Sequence, residues 1–180
     1  LCYKMGETLN DTMFKPFLID AGYSATELGL ILGVWGMFFS VSGSIFGGIL
    51  VKYVTFKNAL WITGTLRIIP LFGQVWLSMQ PQLDPNITNL VLYAEHFFGG
   101  SITTVVFALM MSLVNQQFAA THFTAFATIE VLGKVPFGLL SGWITDQGSY
   151  TVTFTIGTGL SVAFLILIPF LHCKSNHSPI

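Results

Sequence analysis

Charged residues are scarce in this chain: Asp, Glu, Lys and Arg make up 8% of its 180 residues, whereas soluble domains carry about 25%. The formal net charge is −1 and no basic run occurs, so we do not expect nucleic acid as a partner. Cysteine is almost absent too. Cys2 and Cys173 lie at opposite ends of the chain without metal-ligand spacing, so the sequence predicts neither a metal site nor a framework of disulfide bonds.

Sequence motifs of catalysis are also missing. The chain has no GxSxG, HExxH, Walker or dinucleotide-binding pattern, and no Ser, His and acidic residue stand in an arrangement typical of a catalytic triad. We therefore expect no enzyme activity and no cofactor.

Apolar residues, by contrast, make up 53% of the chain and give a mean hydropathy of +0.73. A hydrocarbon core of about 30 Å needs roughly 20 mainly apolar residues in a helix. Six segments meet that length: residues 2–20, 27–51, 58–79, 88–113, 121–145 and 151–172. We expect an all-α transmembrane protein in which residues 1–172 form one six-helix domain and residues 173–180 a short cytosolic tail.

Residues 121–146 carry a charged pair in the middle of a predicted span, Glu130 and Lys134. A charge at the bilayer centre costs at least about 2.5 kcal/mol, so such side chains normally face a helix bundle or a wet cavity. The spacing of four residues places both on one face, in the orientation that favours an ion pair. Pro136 follows and predicts a bend. Two interpretations stay open: the pair only fixes helix packing, or it lines a functional cavity.

The first span is the least apolar, and its charges share one face. At about 100° per residue, four charges lie within an arc of about 80°: Lys4, Glu7, Asp11 and Lys15. Such a face is tolerated only against a cavity or against charges on other helices. Glu7 and Asp11 are like charges one turn apart, which makes one of them a candidate to bind and release a proton. The lysines either line the same cavity or extend to the lipid headgroups.

Isolated polar side chains occur in the third and fourth spans. Arg67 lies half-way along the third span, where it either contacts an anion in a cavity or pairs with an acid on a neighbouring helix. Glu95 and His96 are adjacent and point to different faces, so we expect at most one of them at a cavity. Glu95 is the predicted cavity residue. His96 is interpreted as a packing residue, with a proton relay as the alternative.

Small residues four positions apart mark the second span. These are Gly29 with Gly33 and Gly43 with Gly47. Such spacing lets helix backbones approach closely in lipid, so we expect all four glycines at helix contacts. The sixth span has no charge and is expected at the periphery, facing lipid or packing against a neighbour.

The loop at residues 80–89 contains an Asn-Ile-Thr sequon at Asn86, which predicts a luminal or extracellular position and a possible glycosylation site. Lys52, Lys57 and Lys174 lie on the other side of the membrane. The positive-inside rule then places both chain ends in the cytosol. The kind of membrane stays open.

Four stretches of sequence resemble one family of membrane transporters. Residues 3–13 (YKMGETLNDTM) and 18–30 (LIDAGYSATELGL) are similar to the seventh helix and the following loop of major facilitator proteins in the acetyl-CoA transporter and muropeptide permease branch. Residues 95–111 (EHFFGGSITTVVFALMM) and 120–134 (ATHFTAFATIEVLGK) are similar to its tenth and eleventh helices. The resemblance covers nearly the whole chain. It implies the C-terminal six of twelve helices.

A faint internal repeat agrees with this resemblance. At an offset of 94 residues, Gly48 aligns with Gly142, Lys52 with Asp146 and Phe56 with Tyr150. Two inverted three-helix repeats are a known building pattern of transporters. We therefore expect half of a major facilitator fold, built of two such repeats.

The resemblance also implies a function: secondary transport by alternating access, either proton-driven symport of muropeptides or carriage of acetyl-CoA. The expected partners are membrane lipid, a small anionic substrate, a proton and a six-helix N-terminal half that would complete the pathway. The residues that match by position are Lys4, Glu7, Asp11, Glu95, Glu130 and Lys134, and we add Arg67 as an anion contact. The alternative is a multi-pass scaffold or receptor without transport activity.

Overall fold

The computed structural model describes residues 2–114 and 119–168, and all the regular secondary structure in these ranges is helical. It comprises six helices, which we number α1 to α6: Cys2–Asp20, Ala25–Tyr53, Phe56–Ser78, Pro85–Ser112, Ala119–Gln147 and Tyr150–Leu167. The prediction of an all-α chain is confirmed. The tail at residues 173–180 and the end of the sixth predicted span lie outside the described residues.

Five of the helices, α2 to α6, are long and apolar enough to cross a membrane. Helix α1 differs because its 19 residues include the four charges of one face and Asp20 at the end. Three of those charges, Lys4, Glu7 and Asp11, take part in ion pairs with one another or with α3.

Side chains at the helix starts fix where the chain turns. Ser24 and Glu27 form a capping box: the Ser24 amide donates to Glu27 Oε2 at 2.9 Å, and the Glu27 amide donates to Ser24 Oγ at 3.2 Å. Gly22 precedes this box with a φ of 99°, a left-handed conformation that glycine adopts without strain. Thr55, Asp84 and Ser149 cap α3, α4 and α6, each with a side-chain oxygen that accepts a hydrogen bond from a backbone amide of the first turn.

Of the four glycines of α2 that the spacing singles out, Gly43 and Gly47 contact α4. A methyl group built on Gly43 or Gly47 would overlap a backbone carbonyl of α4, that of Phe97 or Ser101. These two glycines thus lie where two helix backbones approach closely. Around Gly29 and Gly33 such a methyl group would meet no atom of the described residues within 4 Å, so a packing role for these two stays a prediction.

The turn of the helix explains this difference. Gly33 and Gly43 are ten residues apart, which corresponds to about 280° of rotation at 100° per residue, so they occupy different faces. Residues Gly29–Gly36 also form a π-helical segment. Its wider turn rotates the side chains of the first half of α2 relative to those of the second half.

Two apolar clusters lie at opposite ends of the bundle. An aromatic cluster at the end near Asp20 consists of Phe14, Phe17, Leu18, Leu28, Leu77, Leu92 and Phe154. An aliphatic cluster at the other end consists of Ala59, Leu60, Ile102, Val105, Val106, Leu165 and Ile168. The buried charged side chains lie in the layer between the two clusters.

The last two helices occupy positions that charge alone did not indicate. Helix α6 packs against both α1 and α3, and the carbonyl of Gly157 lies against Gly6 of α1. Of the two positions expected for this helix, facing lipid or packing against a neighbour, the structure shows the second. Helix α5 is the least covered of the five apolar helices, with Leu139 75% exposed. The helix that carries Glu130 and Lys134 thus lies at the edge of the described bundle.

Candidate functional site

Arg67 of α3 joins the acidic residues of two other helices. Its Nη2 atom lies 2.7 Å from Glu7 Oε1 of α1 and 2.9 Å from Glu95 Oε1 of α4. Its Nη1 atom also donates a hydrogen bond to the Glu95 carbonyl at 3.1 Å. All three side chains are buried. A buried charge is tolerated only when paired and hydrogen-bonded, so this network holds α1, α3 and α4 together.

Two further α1 charges adjoin this network. Lys4 Nζ lies 2.6 Å from Glu7 Oε2 and 3.5 Å from the hydroxyl of Thr103. Asp11 Oδ1 lies 3.9 Å from Arg67 Nη2, at the limit of an ion pair, and the Asp11 side chain is 46% exposed. We call Lys4, Glu7, Asp11, Arg67 and Glu95 the charge cluster. With all five ionised it carries three negative charges and two positive ones.

A cavity of about 360 Å³ lies beside the charge cluster, between α1, α2 and α4. This size is within the range of sites for small organic molecules. Polar side chains dominate one part of its wall: Glu7, Asp11, Lys15, Ser40, Ser44, Glu95, His96 and Thr103. Phe14, Leu32 and Leu92 supply an apolar part. Most lining residues come from the middle of their helices, so in a bundle that spans a membrane the cavity would lie at mid-membrane depth.

The geometry suits reversible binding of a polar solute better than a chemical reaction. Hydroxyls, carboxylates and an ammonium group line the cavity, next to an apolar surface on which a carbon skeleton can rest. Within residues 2–114 and 119–168, no three His, Cys, Asp or Glu side chains come together as a metal site.

Comparison with known proteins shows what the chain is similar to. It is 28% identical over 177 residues to the anhydromuropeptide permease of Escherichia coli (strain K12), an alignment that covers 97% of this chain and 35% of the permease. It is 25% identical over 179 residues to a protein of Rickettsia prowazekii (strain Madrid E) named as a transporter of the AmpG type, covering 97% of this chain and 39% of that protein. No family model matches the chain.

The chain is similar to membrane permeases. It spans between about a third and two fifths of the length of these relatives. Together with the five helices that can cross a membrane, this similarity supports an integral multi-pass membrane protein. The relatives are named as permeases and transporters, not as enzymes.

The structure brings together five of the seven charged residues that the sequence analysis proposed for a transport path. Lys4, Glu7, Asp11, Arg67 and Glu95 form the charge cluster. For Arg67 the geometry favours the second of the two interpretations, because its guanidinium group is occupied by acids of neighbouring helices.

Glu130 and Lys134 form the predicted ion pair, with Lys134 Nζ 3.3 Å from Glu130 Oε1. They are not among the residues that line the cavity. The Glu130 side chain is 4% exposed and that of Lys134 37% exposed. Within the described residues the geometry therefore favours the packing interpretation of this pair, and a role in the transport path stays a prediction.

Both Glu95 and His96 line the cavity, so the expectation that at most one would do so is wrong. The cavity extends from α1 to α2 across one side of α4. It is wide enough for two adjacent residues of α4 to reach its wall. The His96 ring also packs against Gly36 of α2, where a methyl group would lie 2.8 Å from Nε2. The preferred packing role of His96 is therefore observed together with a place at the cavity wall.

One polar contact between helices was not predicted. The side-chain amide of Asn10 donates to Gln74 Oε1 at 3.1 Å and to the Thr158 hydroxyl at 3.4 Å, which joins α1, α3 and α6. All three side chains are buried. Nothing in the three separate helix sequences indicates that these residues meet, so only the three-dimensional arrangement of the helices reveals the contact.

Asn86 is exposed in the first turn of α4, where its amide donates to the Asp84 side chain at 2.8 Å. The sequon threonine, Thr88, is fully buried. Glycosylation of Asn86 stays a prediction.

Proposed function

We propose that the chain is part of a secondary-active membrane transporter that carries a small solute through the cavity between α1, α2 and α4 by alternating access. The single observation that carries this proposal is a solute-sized cavity at mid-membrane depth whose wall bears carboxylates, hydroxyls and an ammonium group. Ionisable side chains at this depth are costly and characteristically line the path of a substrate or ion. The similarity to named permeases supports the same function.

The proposal includes the rest of a major facilitator fold. Six further helices would face the cavity and complete its wall, and α1 to α3 would be related to α4 to α6 by inversion. Both ends of the chain would lie in the cytosol. Support comes from the loops: Lys52 and Lys57 lie at one end of the bundle, and Asp20, Asp84 and Asp146 at the other.

For the substrate, we propose a muropeptide or another small organic anion. The name of the permease of Escherichia coli supports a muropeptide. Acetyl-CoA is the second candidate, because residues 3–13 and 95–111 resemble the acetyl-CoA transporter branch, in particular major facilitator superfamily domain-containing protein 3.

Uptake into proteoliposomes tests the proposal. The complete natural protein is reconstituted, and radiolabelled anhydromuropeptide and acetyl-CoA are supplied outside. We expect saturable uptake of one of them, above that of protein-free liposomes. A folded, monodisperse protein that transports neither solute would contradict the proposal and favour the alternative of a scaffold or receptor.

We further propose that the charge cluster takes up a proton during transport. Its three carboxylates face only two cations, so one proton balances the charge. Asp11 is the preferred acceptor because it is half-exposed at the cavity and only weakly paired. Glu7 is the alternative.

Replacement of Asp11 tests proton coupling. We expect Asp11→Asn to remove the stimulation of uptake by an inward proton gradient while solute exchange continues, since an amide cannot carry the proton. Thr12→Ala, at the exposed neighbouring position, is the control and should behave as wild type. Stimulation that persists in Asp11→Asn and also in Glu7→Gln would contradict the coupling.

A further inference from the structure

Three cations in the middle of the helices, Lys4, Arg67 and Lys134, are each paired with a carboxylate. Lys4 pairs with Glu7 at 2.6 Å, Arg67 with Glu7 at 2.7 Å and with Glu95 at 2.9 Å, and Lys134 with Glu130 at 3.3 Å. A cation whose charge is already balanced by an acid offers little net attraction to a second anion. None of these three side chains is therefore well placed to bind an anionic solute.

Lys15 is different. It lies on the cavity wall, on the same face of α1 as Asp11 and one helical turn beyond it. In the part of the chain that the structure describes, Lys15 forms no ion pair and its ammonium group donates no hydrogen bond. The nearest acid on its own helix face, Asp11, is oriented to Arg67 at 3.9 Å.

We propose that Lys15 binds the anionic group of the transported solute, a carboxylate, and thereby determines specificity. This inference rests on the proposed transport function and assigns the anion contact to Lys15 instead of Lys134 or Arg67. The ammonium group supplies up to three donors to the carboxylate. Phe14, the adjacent residue on the wall, offers apolar contact to the neighbouring carbon atoms. Asp11, one turn away, would repel a second carboxylate and accept a hydrogen bond from an amide or amine.

The test compares two probes in the complete natural protein. One is radiolabelled anhydromuropeptide with its peptide carboxylates free, and the other is the same compound with those carboxylates amidated. The KM and maximal rate of uptake are measured for wild type, Lys15→Gln and Lys15→Arg. Lys52→Gln is the control, because Lys52 lies at the end of α2, outside the cavity.

We expect Lys15→Gln to raise KM for the free carboxylate about ten- to a hundredfold, the usual effect of losing a hydrogen bond to a charged group. KM for the amidated probe should change less than twofold. Lys15→Arg should restore most of the affinity, which a role in folding alone would not predict. Lys52→Gln should match wild type for both probes.

Two results would overturn the inference while leaving transport intact: an unchanged KM in Lys15→Gln, or an equal rise for both probes. A wild-type protein that takes up neither probe would instead refute the proposed muropeptide transport and this inference with it. The wild-type rates therefore separate the failure of the function from the failure of the residue assignment.

Discussion

Arg67→Gln should destabilise the protein by about 3–5 kcal/mol, the usual cost of removing one partner of a buried ion pair. Glu95 would then be left as a buried carboxylate without its cation, and Glu7 would keep only Lys4. Because Arg67 contacts both α1 and α4, we expect the loss to loosen the whole bundle. Thermal unfolding in detergent, followed by size-exclusion chromatography, measures the effect.

A compensating change separates this mechanism from a general loss of packing. In the double variant Arg67→Gln with Glu95→Gln, the unpaired carboxylate is gone and the Lys4–Glu7 pair remains, so most of the stability should return. Lys52→Gln, which removes an exposed cation, is the control and should change stability by less than about 0.5 kcal/mol. An Arg67→Gln protein as stable as wild type, or a double variant no better than the single one, would show that the cluster does not hold the helices together.

Gly43→Ala should destabilise the contact between α2 and α4 by about 1–3 kcal/mol, the usual range for overpacking. The added methyl group would overlap the Phe97 carbonyl, and this backbone atom cannot move unless α4 moves with it. Gly47 and Gly100 lie in the same seam, against the carbonyls of Ser101 and Ser40. The helices would therefore have to separate. Unfolding in detergent or lipid nanodiscs measures the loss.

Gly29→Ala, in the same helix, provides the matched control. Its surroundings are open, so the substitution should be neutral or stabilise α2 by up to about 1 kcal/mol through helix propensity. Opposite signs for the two glycines would support the packing described here. Equal destabilisation would mean that Gly29 also packs against a helix.

The sequence predicted features that depend on one helix at a time. Length and hydropathy indicated where the helices lie because a span must match the bilayer. The 100° rotation per residue placed Lys4, Glu7 and Asp11 on one face, and the four-residue spacing of Glu130 and Lys134 predicted their ion pair. The capping box at Ser24 and Glu27 likewise depends only on a local pattern, a serine three residues before a glutamate.

Features that depend on which helices are neighbours could not be predicted. A sequence without an alignment does not reveal that Arg67 meets Glu7 and Glu95, since several arrangements of six helices would bury it. For the same reason, Asn10 gave no sign of its contact with Gln74. Gly29 and Gly43 each have a second glycine four residues later in the same helix, so the sequence pattern does not distinguish them. Only the structure shows that Gly43 lies on the side of α2 that contacts α4.

The central claim is that Asp11 and its neighbours line a water-accessible cavity at mid-membrane depth, and thiol labelling tests it most directly. Cysteine is introduced by Asp11→Cys and, for comparison, by Leu139→Cys on the exposed face of α5, in a background of Cys2→Ser and Cys173→Ser. The rate of reaction with a membrane-impermeant charged thiol reagent is measured in proteoliposomes with and without solute. We predict rapid labelling at position 11, slowed by solute, and slow labelling at position 139; labelling at position 11 as slow as at position 139 would contradict the account.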